Sequence, residues 1–359
     1  MKVVFDILGS TERSGGMRLH STELLRSWSE QFLEDDLTIV GGEWAKVEFA
    51  GMPVKVVTWP NEHATGRASG QLLFTPIVGL RVNADFVVSL SPIVSPFVAR
   101  DRAICFQHDW RHKKNPNEFP VHQRAYRVLW QVSAAHAFVN VCISAKAAAE
   151  THAYVRRART VVIENGRDHA RRWTVPDTKN QRRHIVTFGH HNNKRPELII
   201  RALAHMRLAA AEIVDLVVLG ARGEYADDLR ALSSSLGIES QVHLPGFVGE
   251  DDYQRIVATS SVVALVSSDE GFGLPIAEAQ YFGIPAVVTS DSGMQDLFGE
   301  FPIVAAPDAG SVARALVAAL ASPTSAAGAD TGLATWHATA AALRSVLVSQ
   351  LGAMPHKAA

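Results

Sequence analysis

Cysteine is nearly absent from this chain of 359 residues: Cys105 and Cys142 are the only two. Both lie in apolar, strand-like runs. The sequence therefore holds neither a disulfide framework nor the paired-cysteine spacing of a zinc site, and the thiols read as buried in a reducing compartment. No apolar run reaches the ~18 residues needed to cross a bilayer. The opening Met1–Leu8 run is too short for a secretory leader and reads as a first buried strand, so a cytoplasmic protein is expected. The Gly-Lys-Ser/Thr of a P-loop and the Gly-x-Gly-x-x-Gly of a dinucleotide fold are both missing. So is any aromatic-interleaved basic motif of a nucleic-acid module, which removes nucleic acid as an expected partner. His108 and His112 have ligand-like spacing but no third ligand near them in sequence, and no metal is expected.

A large charge of one sign is also missing, since the net charge is −1. That balance hides an asymmetry: residues 1–100 carry −2, residues 101–200 carry +10 and residues 201–359 carry −9. The middle surplus includes Arg111, Lys113, Lys114, Arg124 and Arg127. It fits a solvated basic face with a charged linker. It also fits peripheral contact of the 101–200 region with anionic lipid at the inner face of a membrane, or with a phosphorylated acceptor.

What is present is alternation. Short Val/Ile-rich runs alternate with amphipathic segments, the pattern of an α/β protein with parallel sheets covered by helices. The length suits two such domains. Strands are predicted near Val3–Leu8, Leu37–Val40, Lys55–Val57, Phe86–Leu90, Ala103–Phe106, Val139–Ile143 and Val161–Ile163. A second series runs from His184–Phe188 through Ile213–Leu219, Gln241–Leu244, Val262–Val266 and Ala286–Thr289 to Ile303–Ala305. First-half helices are expected at Met17–Leu33, Val121–His136 and Ala145–Val155. The domains are drawn as 1–170, a polar linker 171–183, 184–333, a last helix within 334–352 that packs back on the first domain, and a tail 353–359.

The most informative segment is Ser267–Ser290, SSDEGFGLPIAEAQYFGIPAVVTS. After a strand, Glu270 is followed by Gly271-Phe272-Gly273, a helix opening at Leu274-Pro275, and Glu278 on its first turn. The glycines allow a tight turn and close approach to a ligand, and Pro275 and Gly283 bracket the helix. A bare helix start at the carboxyl end of a parallel strand is a site for an anion, here a phosphate. A glutamate at a helix start is explained by the dipole alone, at about 0.3–1 kcal/mol. That explanation does not account for the glycines, the proline and both carboxylates occurring together.

This segment resembles the Glu-x7-Glu signature of retaining glycosyltransferases of family 4, with weaker echoes over nearly the whole chain. Gly15-Gly16, opening a helix after the first strand, is similar to the glycine-rich loop that such enzymes place near donor phosphate and acceptor. Gly189-His190-His191-Asn192-Asn193-Lys194-Arg195 resembles the Gly-Arg…Lys stretch that grips the diphosphate. Here His190 stands where arginine is common and the spacing is one residue short, so Lys194 is expected to keep the charge and Arg195 to supply the bidentate contact. Phe106-Gln107-His108-Asp109-Trp110 resembles the His-Asp stretch of mannosyl- and rhamnosyltransferase-like members. The loop containing Phe247 resembles one lining the base pocket.

The resemblance implies a GT-B fold, two Rossmann-like domains facing across a cleft. It implies transfer of a hexosyl group from a nucleoside diphosphate sugar to an acceptor hydroxyl, in surface polysaccharide or glycoconjugate synthesis, with no metal and no cofactor. Glu270 and His108 would face the transferred sugar. Gly15, Gly16, Gly189, Lys194, Arg195, Phe247, Gly271, Phe272, Gly273, Leu274 and Glu278 would bind the donor, Glu278 through its ribose. A glycoside hydrolase, a GT-B nucleotide-sugar epimerase and a non-catalytic nucleotide-sugar-binding subunit remain open, the last because of His190.

Overall fold

The computed structural model describes residues 1–12, 14–174, 183–208, 214–322 and 334–353. The chain forms two compact units, Met1–Gly166 with Ala334–Ala359, and Arg167–Leu333. The expected linker core (175–182), the stretch 323–333 and the tail beyond 353 lie outside the described residues. The division falls four residues before the expected boundary at 170, and Arg167 shows why. Its guanidinium donates to the Leu297 carbonyl at 2.8 Å and lies over the Phe298 ring, so it is held by residues of the second unit.

In the first unit, seven strands form one parallel sheet: β1 (Lys2–Asp6), β2 (Asp36–Gly41), β3 (Lys55–Thr58), β4 (Phe86–Ser89), β5 (Ala103–Gln107), β6 (Val139–Cys142) and β7 (Thr160–Val162). Their order is β3-β2-β1-β4-β5-β6-β7. The strands read as continuous Val/Ile runs because both sheet faces are covered; Val4, Phe5, Val88 and Ile104 are fully buried. Strand order reverses between β1 and β4, and the loops leaving these two strands pack closely. A Cβ on Gly9 would lie 2.4 Å from that of Ser91.

A helical stretch that the sequence reading did not anticipate precedes β4. Helix Ala64–Ser69 runs through a π turn, Gly70–Phe74, into helix Thr75–Arg81. Gly66, Gly70, Pro76 and Gly79 lower its intrinsic helix propensity. The glycines answer to packing instead: a Cβ on Gly66 would meet the Pro60 carbonyl oxygen at 2.5 Å. Helix Trp336–Ala353 belongs to this unit. Its Thr339 hydroxyl donates to the Glu164 carbonyl and its Arg344 pairs with Asp35. Gly166 permits this docking, since a Cβ there would sit 2.3 Å from the Trp336 backbone nitrogen.

The second unit is a six-stranded parallel sheet of β8 (His184–Phe188), β9 (Asp215–Leu219), β10 (Val242–Gly246), β11 (Val262–Leu265), β12 (Ala286–Thr289) and β13 (Ile303–Ala305). The order is β10-β9-β8-β11-β12-β13. Helices Pro196–Leu208 and Ala309–Ala321 cover it with Ile199, Ile200, Leu203, Val312 and Leu316. Pro245, which has no N–H to give to a ladder, is accommodated because β10 is an edge strand. Strand order reverses between β8 and β11, so the loops leaving these strands emerge side by side at the carboxyl end. Open parallel sheets bind ligands at such a point.

Candidate active site

Those two loops carry most of the residues singled out from the sequence. They are stitched together by Asn193, whose carbonyl accepts from Ser268 N at 2.9 Å and whose side-chain amide donates to the Asp269 carbonyl at 3.0 Å. Gly189 lets the first loop turn against its neighbour. Its own N–H donates to the Leu219 carbonyl at 2.7 Å, and a Cβ would lie 3.0 Å from that of Ala221. A short 3-10 turn, Asn192–Lys194, follows. Lys194 Nζ then reaches Glu270 Oε1 at 2.5 Å, with both side chains only 11% exposed. Sheet order brings together two charges that are 76 residues apart in sequence.

The remaining charges are placed differently from expectation. Arg195 occupies the left-handed region at φ 50°, which turns its side chain along the strand ends. Its Nε donates to the Val266 carbonyl at 2.7 Å, and its two terminal nitrogens grip Asp291 at 2.9 and 2.8 Å. The bidentate contact is therefore spent on Asp291. Burial raises the Asp291 pKa, but the Arg195 bonds win and hold this carboxyl below its usual range. Lys194 is left as the cation paired directly with Glu270.

Glu278 is the fifth residue of helix Leu274–Phe282, past the first turn, and is 1% exposed. Its Oε1 is bonded to His169 Nε2 at 3.0 Å and its Oε2 accepts from the Tyr253 hydroxyl at 2.7 Å. Burial, and then the Glu278 charge, push the Tyr253 phenol well above its ordinary value, so the hydroxyl stays a donor. The carboxylate that the sequence presented as open to a ribose is thus roofed by two side chains. The Phe272 ring also turns inward, buried against Phe298 at a centroid distance of 6.0 Å. At this position only the backbone of the loop faces the candidate site. Gly273 takes φ +86°, which favours glycine, and leads into Leu274, half-buried at the helix start. Gly271, beside it, is likewise half-buried.

Phe247 is 60% exposed just after β10, with the Arg222 guanidinium 5.0 Å above its ring. A flat exposed ring capped by a planar cation suits stacking of a nucleobase. Among the described residues no group of three or more His, Cys, Asp or Glu side chains could hold a metal ion. No helix among them is long and apolar enough to cross a membrane.

In the first unit, Gly15 caps helix Gly16–Gln31 without a side-chain bond, and both glycines are exposed. His108 leaves β5 and bonds the Leu90 carbonyl through Nε2 at 2.9 Å. A carbonyl only accepts, so Nε2 carries the proton and Nδ1 keeps its lone pair. Burial lowers the His108 pKa, which keeps the ring neutral. His20 stands edge-on to it at 4.9 Å and is tied to Asn165 at 2.8 Å. Burial drives its pKa down to about 3.

Sequence reasoning missed Tyr253, His169 and Asp291. No local spacing marks the first two. Asp291 did carry a signal: a polar residue directly after β12, at the ligand-binding end of the sheet.

Residues 175–329 match the family model described as glycosyl transferases group 1. Solved structures align over nearly the full length. One is Anabaena Alr3699/HepE in complex with UDP and glucose, at TM-score 0.68, 18% identity and 98% of each chain. Another is sucrose-phosphate synthase from Thermosynechococcus elongatus, at TM-score 0.75, 15% identity, 99% of this chain and 100% of that one. The fold is GT-B. In sequence, the GDP-mannose:cellobiosyl-diphosphopolyprenol alpha-mannosyltransferase of Komagataeibacter xylinus is 25% identical over 167 residues, 46% of this chain and 42% of that protein. The chain thus spans less than half the length of this curated relative. The family model and the named relative together support a sugar-transferring enzyme.

Proposed function

We propose that the protein is a retaining glycosyltransferase of family 4 that moves a hexosyl group from a nucleoside diphosphate sugar to an acceptor hydroxyl. The observation that carries this reading is the Lys194–Glu270 pair at the strand-order reversal, beside the start of helix Leu274–Phe282. Breaking an anomeric bond to a diphosphate releases negative charge on phosphate and builds positive charge on the sugar. A lysine and a carboxylate preorganised side by side answer both charges, with little reorganisation at the moment of reaction.

In this reading donor binding exchanges the partner of Lys194, from Glu270 to a phosphate oxygen. Glu270 then holds the sugar and offsets charge growing at its ring. The acceptor hydroxyl attacks on the face from which the diphosphate leaves, which retains configuration, and the departing phosphate takes its proton. His108 Nδ1 offers an acceptor to a sugar hydroxyl, and Phe247 a platform for the base. Glu278 reaches the ribose once Tyr253 gives way; an ionised carboxylate accepts about four hydrogen bonds, and two partners already hold its orientation. No metal is required in this scheme. The relatives support a nucleotide sugar as donor, with GDP-mannose in the name of the mannosyltransferase and UDP bound in the Anabaena structure. The cationic surplus of residues 101–200 favours an acceptor that is anionic or lies at an anionic surface, and work at the inner face of a membrane in surface polysaccharide synthesis.

The test is turnover of UDP-, GDP-, ADP- and dTDP-sugars, ranked first by thermal shift, with and without an acceptor panel. Transfer that disappears in Glu270→Gln while nucleotide still binds supports the proposal. Release of free sugar without nucleotide identifies a hydrolase instead, and conversion of the donor without acceptor an epimerase. A non-catalytic binding subunit is favoured by one specific observation, the commitment of Arg195 to Asp291 with His190 in place of arginine. Nucleotide-sugar binding with no turnover on any acceptor selects it.

A further inference from the structure

Helix Val121–His136 buries Ala134 but leaves an apolar stripe facing outward. A surface helix normally turns its apolar stripe to the core and its polar face to water. Here Tyr126, Ser133 and His136 face the protein and bond Gln71, Val94 and Val98. Val121, Ala125, Val128, Val132 and Ala135, spaced i, i+4, i+7, i+11 and i+14, are all exposed.

A second apolar stripe lies alongside. Leu73, Ile77 and Leu80, again at i, i+4 and i+7, are exposed on the neighbouring helical segment, Leu80 by 81%. The two segments are neighbours because the Tyr126 hydroxyl donates to Gln71 at 3.0 Å. The loop after β4 fills the seam between them: the Ser95 hydroxyl donates to the Leu72 carbonyl and the Ser133 hydroxyl to the Val94 carbonyl. From that loop Phe97 projects, 71% exposed. Seven of the fifteen large hydrophobic side chains exposed among the described residues therefore fall on this one face of the first unit. Scattered exposed apolar residues need no explanation, but a contiguous set marks an interaction surface.

Charge decides the occupant. Between Ala64 and His136 the sequence holds nine Lys and Arg against four Asp and Glu. Arg124 is exposed within the stripe, and Lys113 is tied to this helix through Gln131. Asp85 accepts from the Lys2 backbone N–H and Asp109 from that of Arg111; with all four acids counted, nine against four still leaves a positive surplus. A second copy of the chain seated on the same face by a two-fold axis would set this positive charge against itself. An apolar stripe fringed with Lys and Arg matches the boundary between acyl chains and anionic headgroups.

We infer that the face built from helix Val121–His136, the 73–80 stripe and Phe97 docks on an anionic lipid bilayer. The strand ends that carry His108 and the loop before Gly15 lie at the end of the same sheet where these helices begin, so a lipid-borne hydroxyl would reach the first unit without leaving the membrane surface.

The full chain is mixed with sedimentable vesicles of phosphatidylcholine alone and of phosphatidylcholine with about one-third phosphatidylglycerol. Binding is read without donor or acceptor, so its failure leaves sugar transfer untouched. The expected result is binding to the anionic vesicles that is at least about tenfold stronger than to neutral ones, weakened by salt. The Phe97→Ser, Val128→Asp, Val132→Asp variant should lose about tenfold or more at an unchanged melting temperature, because exposed side chains contribute little to folding. Arg124→Glu with Lys113→Glu provides a second variant that leaves the apolar stripe intact, and it should also lose binding. Equal binding to both vesicle types, undiminished binding in both variants, or a dimer in sedimentation velocity that the triple variant dissolves would each overturn the inference.

Discussion

Replacing Glu270 by glutamine should separate the two halves of the proposed chemistry. In the resting protein Lys194 is held by Glu270 at 2.5 Å, with both side chains 11% exposed. A diphosphate can engage Lys194 fully only by displacing that carboxylate. A hydrogen bond between charged groups contributes about 1.5–3 kcal/mol, and this pair lies at a loop edge, so about 1.5 kcal/mol is a reasonable displacement cost. Glu270→Gln removes the competing charge and should tighten nucleoside diphosphate binding by about tenfold, since 1.4 kcal/mol is a factor of ten. The same change should lower sugar transfer by about 10²–10³, the usual loss of one preorganised electrostatic partner. Lys194→Met should instead weaken diphosphate binding by about tenfold to a hundredfold and take the ammonium partner from Glu270. Calorimetric titration with UDP and GDP reads the affinities, and a double-mutant cycle in urea reads the pair itself. The singles should miss additivity by about 1–2 kcal/mol, where independent sites agree within about 0.5 kcal/mol. Unchanged or weakened nucleotide affinity in Glu270→Gln would refute the partner exchange.

Three further predictions concern the first unit. Burial raises the Asp6 pKa to about 7, above its unfolded value, so its contribution to stability is full below about pH 4 and is lost as pH rises to 7. Asp6→Asn should therefore gain on the wild type across that window, by up to about 4 kcal/mol; a difference in unfolding free energy that does not change with pH would contradict it. His20 has the opposite sign: with its pKa lowered to about 3, its contribution is full above about pH 6.5 and falls on acidification. Between pH 7.5 and pH 5, His20→Phe should escape a loss of about 2 kcal/mol that the wild type suffers, read by urea unfolding at both values. Gly166→Ala should destabilise by about 2–3 kcal/mol by forcing a Cβ into the Trp336 backbone, and an unchanged melting temperature would show that this helix end is not packed there.

Among the described residues, central strands such as β4, β11 and β12 were legible because parallel strands buried on both faces appear as Val/Ile-rich runs. The 64–81 helical stretch was not, since its glycines and Pro76 argue against a helix and Leu73, Ile77 and Leu80 face outward. Within the candidate site, the Glu270 loop, the helix start and Lys194 were marked by local chemistry: glycines where the backbone turns, a proline at the first helical turn, a cation where the dipole disfavours one. Such signals depend on neighbours a few residues away, and a sequence displays those directly. The covering of Glu278 by His169 and Tyr253, which lie 109 and 25 residues from it, depends on which strands become adjacent. So does the diversion of Arg195 to Asp291, 96 residues on. The amino-acid order settled where charge and backbone freedom would be placed. Only the folded sheet decided which charges neutralise one another, because a partner is chosen by distance in space and burial makes that choice worth kilocalories.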